Sequence, residues 1–261
     1  MLNLNLENEF INKKIIVTGA SQGLGAETCK ALALRGARIA MLSRSKIKMD
    51  KLKEKMKNSS GHISIKVDLL NSKSLNLAVQ KAKKFLKEID IIIHVAGGGY
   101  GLKNSLIKSS DLNTLFQINL GAAVEINKLV VEQKKKKKDL KLIHVGSIAS
   151  NEAVGSVGYN VVKSALAAYV RSLGKELSHN KVLVTGILPG GFIAKDNAME
   201  RLKKKNVQIY KRFIRTRLPR GVMGKVNEVI PMLLFLCSKH SEMMGGCLVP
   251  MDAGEGRSYQ I

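Results

Sequence analysis

Aromatic residues make up only 4% of the 261 positions, and none is tryptophan. No zinc-finger spacing or RNA-binding aromatic signature accompanies them, so specific nucleic-acid recognition is not expected. Only three cysteines occur, Cys29, Cys237 and Cys247, with no C-x-x-C spacing and no histidine pair nearby. An odd, scattered set argues against a disulfide framework or a metal site and predicts buried, reduced thiols. No apolar run approaches the roughly 18 residues of a membrane span. The opening stretch MLNLNLENEFIN has acidic and Asn residues where a signal peptide has a basic start and an apolar segment. A cytoplasmic protein, neither exported nor membrane-bound, is expected. Carboxylates are scarce as well, 20 against 44 basic residues, for a net charge of +24. The lysines are spread through almost every segment, which predicts weak, salt-dependent adhesion to polyanions and no specific nucleic-acid partner.

What is present is an alternation. Hydrophobic residues are 45% of the chain, enough for one large core, so a single domain over 1–261 is expected. Seven short apolar runs (KIIVT, ARIAML, HISIKV, IDIIIHV, LKLIHVG, KVLVTGIL and CLVPM) read as strands. Helical patterns lie between them at about 23–35, 72–87, 110–133, 157–178 and 226–237. Near-continuous apolar strands separated by helices predict an α/β, doubly wound (Rossmann) parallel sheet of about seven strands, covered on both faces. Ligands then belong at the carboxyl ends of the strands. The run KKKKK at 134–138 follows an amphipathic segment and reads as a solvated helix end.

The first strand runs into Thr18-Gly19-Ala20-Ser21-Gln22-Gly23-Leu24-Gly25, and a helical pattern follows at once. Such a turn lets the backbone approach a pyrophosphate, which the helix N-terminus then holds. The spacing is G-x-x-x-G-x-G, with no P-loop Lys-Ser/Thr. Further on, Tyr159 and Lys163 stand at i and i+4, on one helix face. A phenol is a poor base at neutral pH, and a nearby ammonium favours the phenolate. Ser147 ends a strand, where its hydroxyl can hold a substrate oxygen, with Ser150 and Ser156 as competitors for that role.

Together these residues resemble the short-chain dehydrogenase/reductase family, in its NADP-preferring, 3-oxoacyl-ACP-reductase-like form. The resemblance covers the whole chain, from T-G-x-x-x-G-x-G through Asp68 in KVDLL, Asn119 in INLGAA, Ser147, the Y-x-x-x-K of Tyr159 and Lys163, and Pro189-Gly190, to the closing VPMDAGEG. It implies a catalytic set of Ser147, Tyr159, Lys163 and Asn119, the last ordering a water in a proton relay. It implies cofactor contacts from Gly19, Ser21, Gln22, Gly23, Leu24, Gly25, Ser43, Arg44, Asp68, Leu69, Ala96, Gly97, Tyr159, Lys163, Pro189, Gly190 and Phe192. Family members commonly assemble as dimers or tetramers through the helices at about 110–133 and 157–178, so a homo-oligomer is implied. The family often has N-N-A-G where this chain has His94-Val95-Ala96-Gly97, and His94 reads as structural. Ala194 stands where a Thr commonly touches the nicotinamide.

The second strand ends in Ser43-Arg44-Ser45 without a carboxylate, which favours NADP(H) over NAD(H) because an Arg can pair with the 2′-phosphate. Residues 201–220 carry four Lys, five Arg and no carboxylate, inside a stretch (195–220) that the family uses as a helical substrate lid. Concentrated guanidinium groups suit phosphate or carboxylate. Arg212, Arg215 and Arg217 are therefore candidate contacts, beside Ser147 and Tyr159, for an anionic or carrier-linked substrate; exposed charge on a basic helix is the alternative. The expected activity is ketone–alcohol interconversion on a 3-oxoacyl thioester. A sugar-phosphate or nucleotide-sugar substrate is the second possibility, and a silent NADP-binding regulator the third.

Overall fold

The computed structural model describes residues 9–258; the first eight residues of the opening stretch and the last three of the chain lie outside the described residues. The strands, in chain order, are β1 (Lys14–Thr18), β2 (Arg38–Ser43), β3 (His62–Lys66), β4 (Ile91–His94), β5 (Leu140–Val145), β6 (Val182–Pro189), β7 (Phe192–Ile193), β8 (Gly224–Lys225) and β9 (Leu248–Met251). The helices are α1 (Gly23–Leu34), α2 (Lys46–Lys53), α3 (Ser72–Leu86), α4 (Ser109–Phe116), α5 (Ala122–Val131), α6 (Val157–Leu177), α7 (Ala198–Lys205), α8 (Val207–Arg217) and α9 (Val226–Cys237).

Seven strands form one parallel sheet in the order β3-β2-β1-β4-β5-β6-β9. Alternate residues of each strand point to opposite faces, and both faces are covered. Ile15, Val17, Ile91 and Ile93 pack with α1 and α9 on one side. Ile16, Ile92 and Leu142 pack with α3, α5 and α6 on the other. Double coverage is why the strands read as unbroken apolar runs, each fully buried Ile or Leu contributing about 1.5–3 kcal/mol. The chain order reverses between β1 and β4, so a crevice opens at their carboxyl ends.

All seven expected strands and all five expected helical stretches are there, with one modification. The 110–133 stretch is α4 and α5 joined by a π-helical turn, Gln117–Gly121. Helix α2 was not read from the sequence, because only Met49 and Leu52 of its eight residues are buried. Helices α7 and α8 pack over the small β7–β8 ladder around Tyr210, Leu218 and Met223.

Two expectations need correcting. Cys29 and Cys237 are buried, but Cys247 is only half-buried. The lysine run is not simply solvated: Lys135 and Lys138 pair with Glu88 at 2.7 and 2.8 Å, and Lys138 also with Asp90 at 2.9 Å. The two ammonium groups hold the Glu88 carboxyl down at about 2.

Candidate active site

The glycine turn after β1 is built by close approach. A Cβ on Gly19 (φ +69°) would lie 2.8 Å from the Ala96 nitrogen, and one on Gly25 would lie 2.4 Å from the Gly19 oxygen. Side chains are thus excluded where the turn packs on β4 and on its own helix. The Gln22 side chain does not cap α1, and the positive end of the helix dipole, at Gly23 and Leu24, faces the crevice. The Gly23 N–H donates to the Lys195 carbonyl (3.0 Å) and the Gln22 amide to the Asp196 carbonyl (3.0 Å), tying the start of the lid segment to the turn.

Ser147 follows β5, and its hydroxyl accepts from the Ala149 N–H at 3.2 Å. Tyr159 sits in the first turn of α6 and Lys163 one turn later, its Nζ 5.6 Å from the centre of the tyrosine ring. Burial holds the Tyr159 phenol pKa above its ordinary value, with the nearby Ser147 hydroxyl opposing that rise. Lys163 is 3% exposed. Burial pulls its ammonium down to about 8, and Nζ is held by donating to the Val145 carbonyl at 3.1 Å.

Asn119 stands inside the π-helical turn, 3% exposed. Its Oδ1 accepts from the Gly98 N–H (2.9 Å), and its Nδ2 donates to the Gly98 (3.1 Å) and Leu115 (2.9 Å) carbonyls. A Cβ on Gly97 would lie 2.7 Å from Asn119 Oδ1 and 3.3 Å from Lys163 Nζ. Only a glycine fits where the loop after β4, Asn119 and Lys163 converge. Asn119 lines a small cavity behind the main cleft, together with His94 and His144.

An open cleft of about 1150 Å³ runs from the glycine turn to Ser147 and Tyr159. The expected cofactor residues line it, except Gly25, which is packed beneath the turn. Lys48 and Tyr100 were not anticipated and also line it. Lys48 Nζ bonds Gln22 Oε1 (3.2 Å) and Asp196 Oδ2 (3.1 Å), and the Arg44 guanidinium lies over the Tyr100 ring at 5.4 Å. Of the three candidate lid arginines only Arg217 lines the cleft; Arg212 and Arg215 are exposed on α8 and lie outside it. Arg217 pairs with buried Glu255, which sequence reasoning missed because the two are 38 residues apart. Ala194 is buried and offers no polar group.

A doubly wound parallel sheet with a glycine turn and an uncapped helix at its switch point defines a dinucleotide-binding α/β protein. The family model described as short chain dehydrogenase matches residues 13–206, and the chain belongs to that family of oxidoreductases acting on CH–OH groups, whose cofactor is NAD(P)(H). It is 26% identical over 258 residues to the 3-oxoacyl-acyl-carrier-protein reductase FabG of Aquifex aeolicus, covering 95% of this chain and 99% of that protein. It is 28% identical over 245 residues to the 2-dehydro-3-deoxy-D-gluconate 5-dehydrogenase of Formosa agariphila, covering 93% and 92%. Among solved structures, a 7α-hydroxysteroid dehydrogenase shares the fold at TM-score 0.88, with 21% identity over 100% of both chains.

Proposed function

We propose that this chain is an NADP(H)-preferring reductase that interconverts a ketone and a secondary alcohol, with Ser147, Tyr159, Lys163 and Asn119 as its catalytic set. The observation that carries this reading is that Ser147, Tyr159 and Lys163 share one cleft wall, with Lys163 one helical turn behind Tyr159 and its Nζ 5.6 Å from the ring centre. The cleft fits the cofactor: its volume, the open α1 N-terminus and the bare Gly97 leave room for a dinucleotide against backbone. When bound, the nicotinamide supplies the hydride. Ser147 holds the carbonyl oxygen, and the Tyr159 phenol gives its proton to that oxygen as charge develops. The Lys163 ammonium favours the phenolate that remains, and Asn119 fixes the loop beside both through Gly98. In oxidation the same groups act in reverse.

The NADP preference rests on Arg44 at the end of β2, flanked by Ser43 and Ser45 with no carboxylate; Ser43 Oγ is bonded to Ser21 Oγ at 2.8 Å. The chain is proposed to act as one cytoplasmic domain over 1–261, with 195–220 as its lid, in a homodimer or homotetramer formed through α4–α5 and α6. For the substrate, the 3-oxoacyl thioester reading is supported by the FabG relatives and by exposed Arg212 and Arg215, which suit an acidic carrier. A sugar-type substrate is favoured by a different observation, the polar pair Arg217–Glu255 at the cleft wall, and the Formosa relative's name points the same way.

NADPH oxidation should be screened with 3-oxoacyl thioesters and keto sugars. Tyr159→Phe is expected to lower kcat by roughly a thousandfold, because it removes the positioned acid, while NADPH affinity stays within about twofold. Cofactor binding without turnover on any ketone would instead identify a silent regulator.

A further inference from the structure

We propose that Glu255 and Arg217 form a hydroxyl-reading wall at the substrate end of the cleft, so that the substrate is a ketone bearing hydroxyl groups near its carbonyl. The proposal takes the position of the carbonyl, at Ser147 and Tyr159, from the ketone–alcohol reading above.

Three separate parts of the chain build this wall. The turn after β9 presents Glu255, whose N–H donates to the Asp252 carbonyl at 3.0 Å. Helix α8 presents Arg217 from its last residue. The loop after β6 presents Gly190 and Gly191. Glu255 Oε2 accepts from the Gly191 N–H at 2.5 Å, and Oε1 accepts from Arg217 Nη2 at 3.2 Å. Both glycines are needed for the carboxylate to fit. A Cβ on Gly190 would lie 2.7 Å from Glu255 Oε2, and one on Gly191 would lie 3.2 Å from it and 3.0 Å from Phe213 Cε1. Gly190, Gly191, Phe213, Arg217 and Glu255 all line the cleft that holds Ser147 and Tyr159.

The pair has a poor account as a stabilising device. Glu255 is 6% exposed, and a buried ion pair contributes little net stability once both charges are desolvated. Burial raises its carboxyl pKa even with Arg217 alongside. As a recognition device it has capacity to spare. A carboxylate offers about four lone-pair sites and a guanidinium five N–H donors. Among the described residues, two of the first and one of the second have protein partners.

A hydroxyl group is both donor and acceptor, so one hydroxyl can donate to Glu255 while accepting from Arg217. A bare alkyl chain would seal their remaining lone pairs and N–H groups against water with nothing to meet them, which is costly for charged groups. A phosphate would be set against the Glu255 carboxylate, which already neutralises the guanidinium. The chemistry therefore selects a neutral polyhydroxylated ketone over a long acyl chain or a phosphorylated one.

The test is a binding measurement that does not need turnover. Protein saturated with NADP⁺ or NAD⁺ is titrated by calorimetry with three hexitols (sorbitol, mannitol and galactitol) and with 2-hexanol, a secondary alcohol of the same chain length. The best hexitol is expected to bind at least about tenfold more tightly than 2-hexanol, an effect the size of one good hydrogen bond to a charged group. Glu255→Gln, which keeps an acceptor for Gly191, and Arg217→Lys, which keeps the charge and loses the fork, should each bring that ratio close to one. Preference for 2-hexanol, failure of all three hexitols to bind, or an unchanged ratio in both variants would overturn the proposal. Hexitol binding through Glu255 without reduction of any hydroxyketone would refute the ketone–alcohol reading and leave the hydroxyl-reading role of Glu255 and Arg217 standing. Reduction of simple ketones with an unchanged ratio would do the reverse.

Discussion

Lowering the pH should destabilise this protein through one buried pair of imidazoles. His94 ends β4 and is paired in register with His144 on β5. Their rings stack with centroids 4.7 Å apart, 5% and 0% exposed. Asn127 on α5 joins them: its Oδ1 lies 2.8 Å from His94 Nε2, and its Nδ2 lies 3.4 Å from His144 Nε2 and donates to the Tyr169 hydroxyl at 3.1 Å. A carbonyl oxygen only accepts and an amide nitrogen only donates, so this amide orientation fixes the tautomers. His94 carries its proton on Nε2, and His144 presents a bare Nε2, leaving its Nδ1 buried with no partner among the described residues. A second proton on His144 would point at the Asn127 amide hydrogens.

Burial holds the His94 pKa at about 4, against 6.5 for a free imidazole. Between those values the unfolded chain takes up a proton that the folded chain refuses. The stabilisation is therefore complete above pH 6.5 and is lost as pH falls toward 4, at about 1.4 kcal/mol per pH unit and about 3 kcal/mol in all. His144, pushed well below 6.5 by burial, His94 and Lys163, acts in the same direction. Urea unfolding at pH 7.5, 6.5, 5.5 and 4.5 should be compared with that of His94→Asn, whose side chain does not titrate and can still meet Asn127. Between pH 6.5 and 4.5 the native chain should lose about 2 kcal/mol more than the variant. Other titrating groups are common to both and cancel, except that His144 loses the His94 part of its shift in the variant, which adds to the difference in the same direction. Glu88, held at about 2, loses its contribution only as pH falls from its ordinary 4.5 toward 2. Parallel stability curves for the two proteins would refute the neutral-pair account.

Lys163, held at about 8 by burial, gives a second pH dependence. In the reducing direction kcat/KM, which reports the free enzyme, should fall as pH rises through about 8, because the ammonium is then lost while Tyr159 stays protonated; a profile flat to pH 10 would remove Lys163 from the mechanism. Lys48 bridges Gln22 and Asp196 across the cleft rim. Its pairing is exposed, so Lys48→Ala should change stability by under about 1 kcal/mol. It should nevertheless speed cofactor release several-fold in stopped-flow fluorescence, and an unchanged release rate would show that the bridge does not hold the lid segment.

The sheet was legible because its central strands are buried on both faces, so every position from Ile15 to Val17 or from Ile91 to Ile93 had to be apolar. The catalytic group was legible in proportion to how local its geometry is. Tyr159 and Lys163 share a helix face by spacing alone. Asn119 does not, because its direction is set by a π-helical turn that hydrophobic periodicity does not register; only the family resemblance singled it out. The lid shows the same rule from the other side. Arg212, Arg215 and Arg217 looked equivalent as charge, yet Phe213 and Arg217 are i and i+4 on α8 and both line the cleft, whereas Arg212 and Arg215 are i and i+3 and both stay outside. That division was available in the spacing, with Phe213 as the residue marking the inward face. What no local pattern carried was the partner of each inward group. Glu255 meets a backbone amide 64 residues away, and His144 meets His94 only because β4 and β5 are neighbours. These contacts place charge and polarity where a desolvated cleft and core would otherwise be apolar, and only the folded chain brings their partners together.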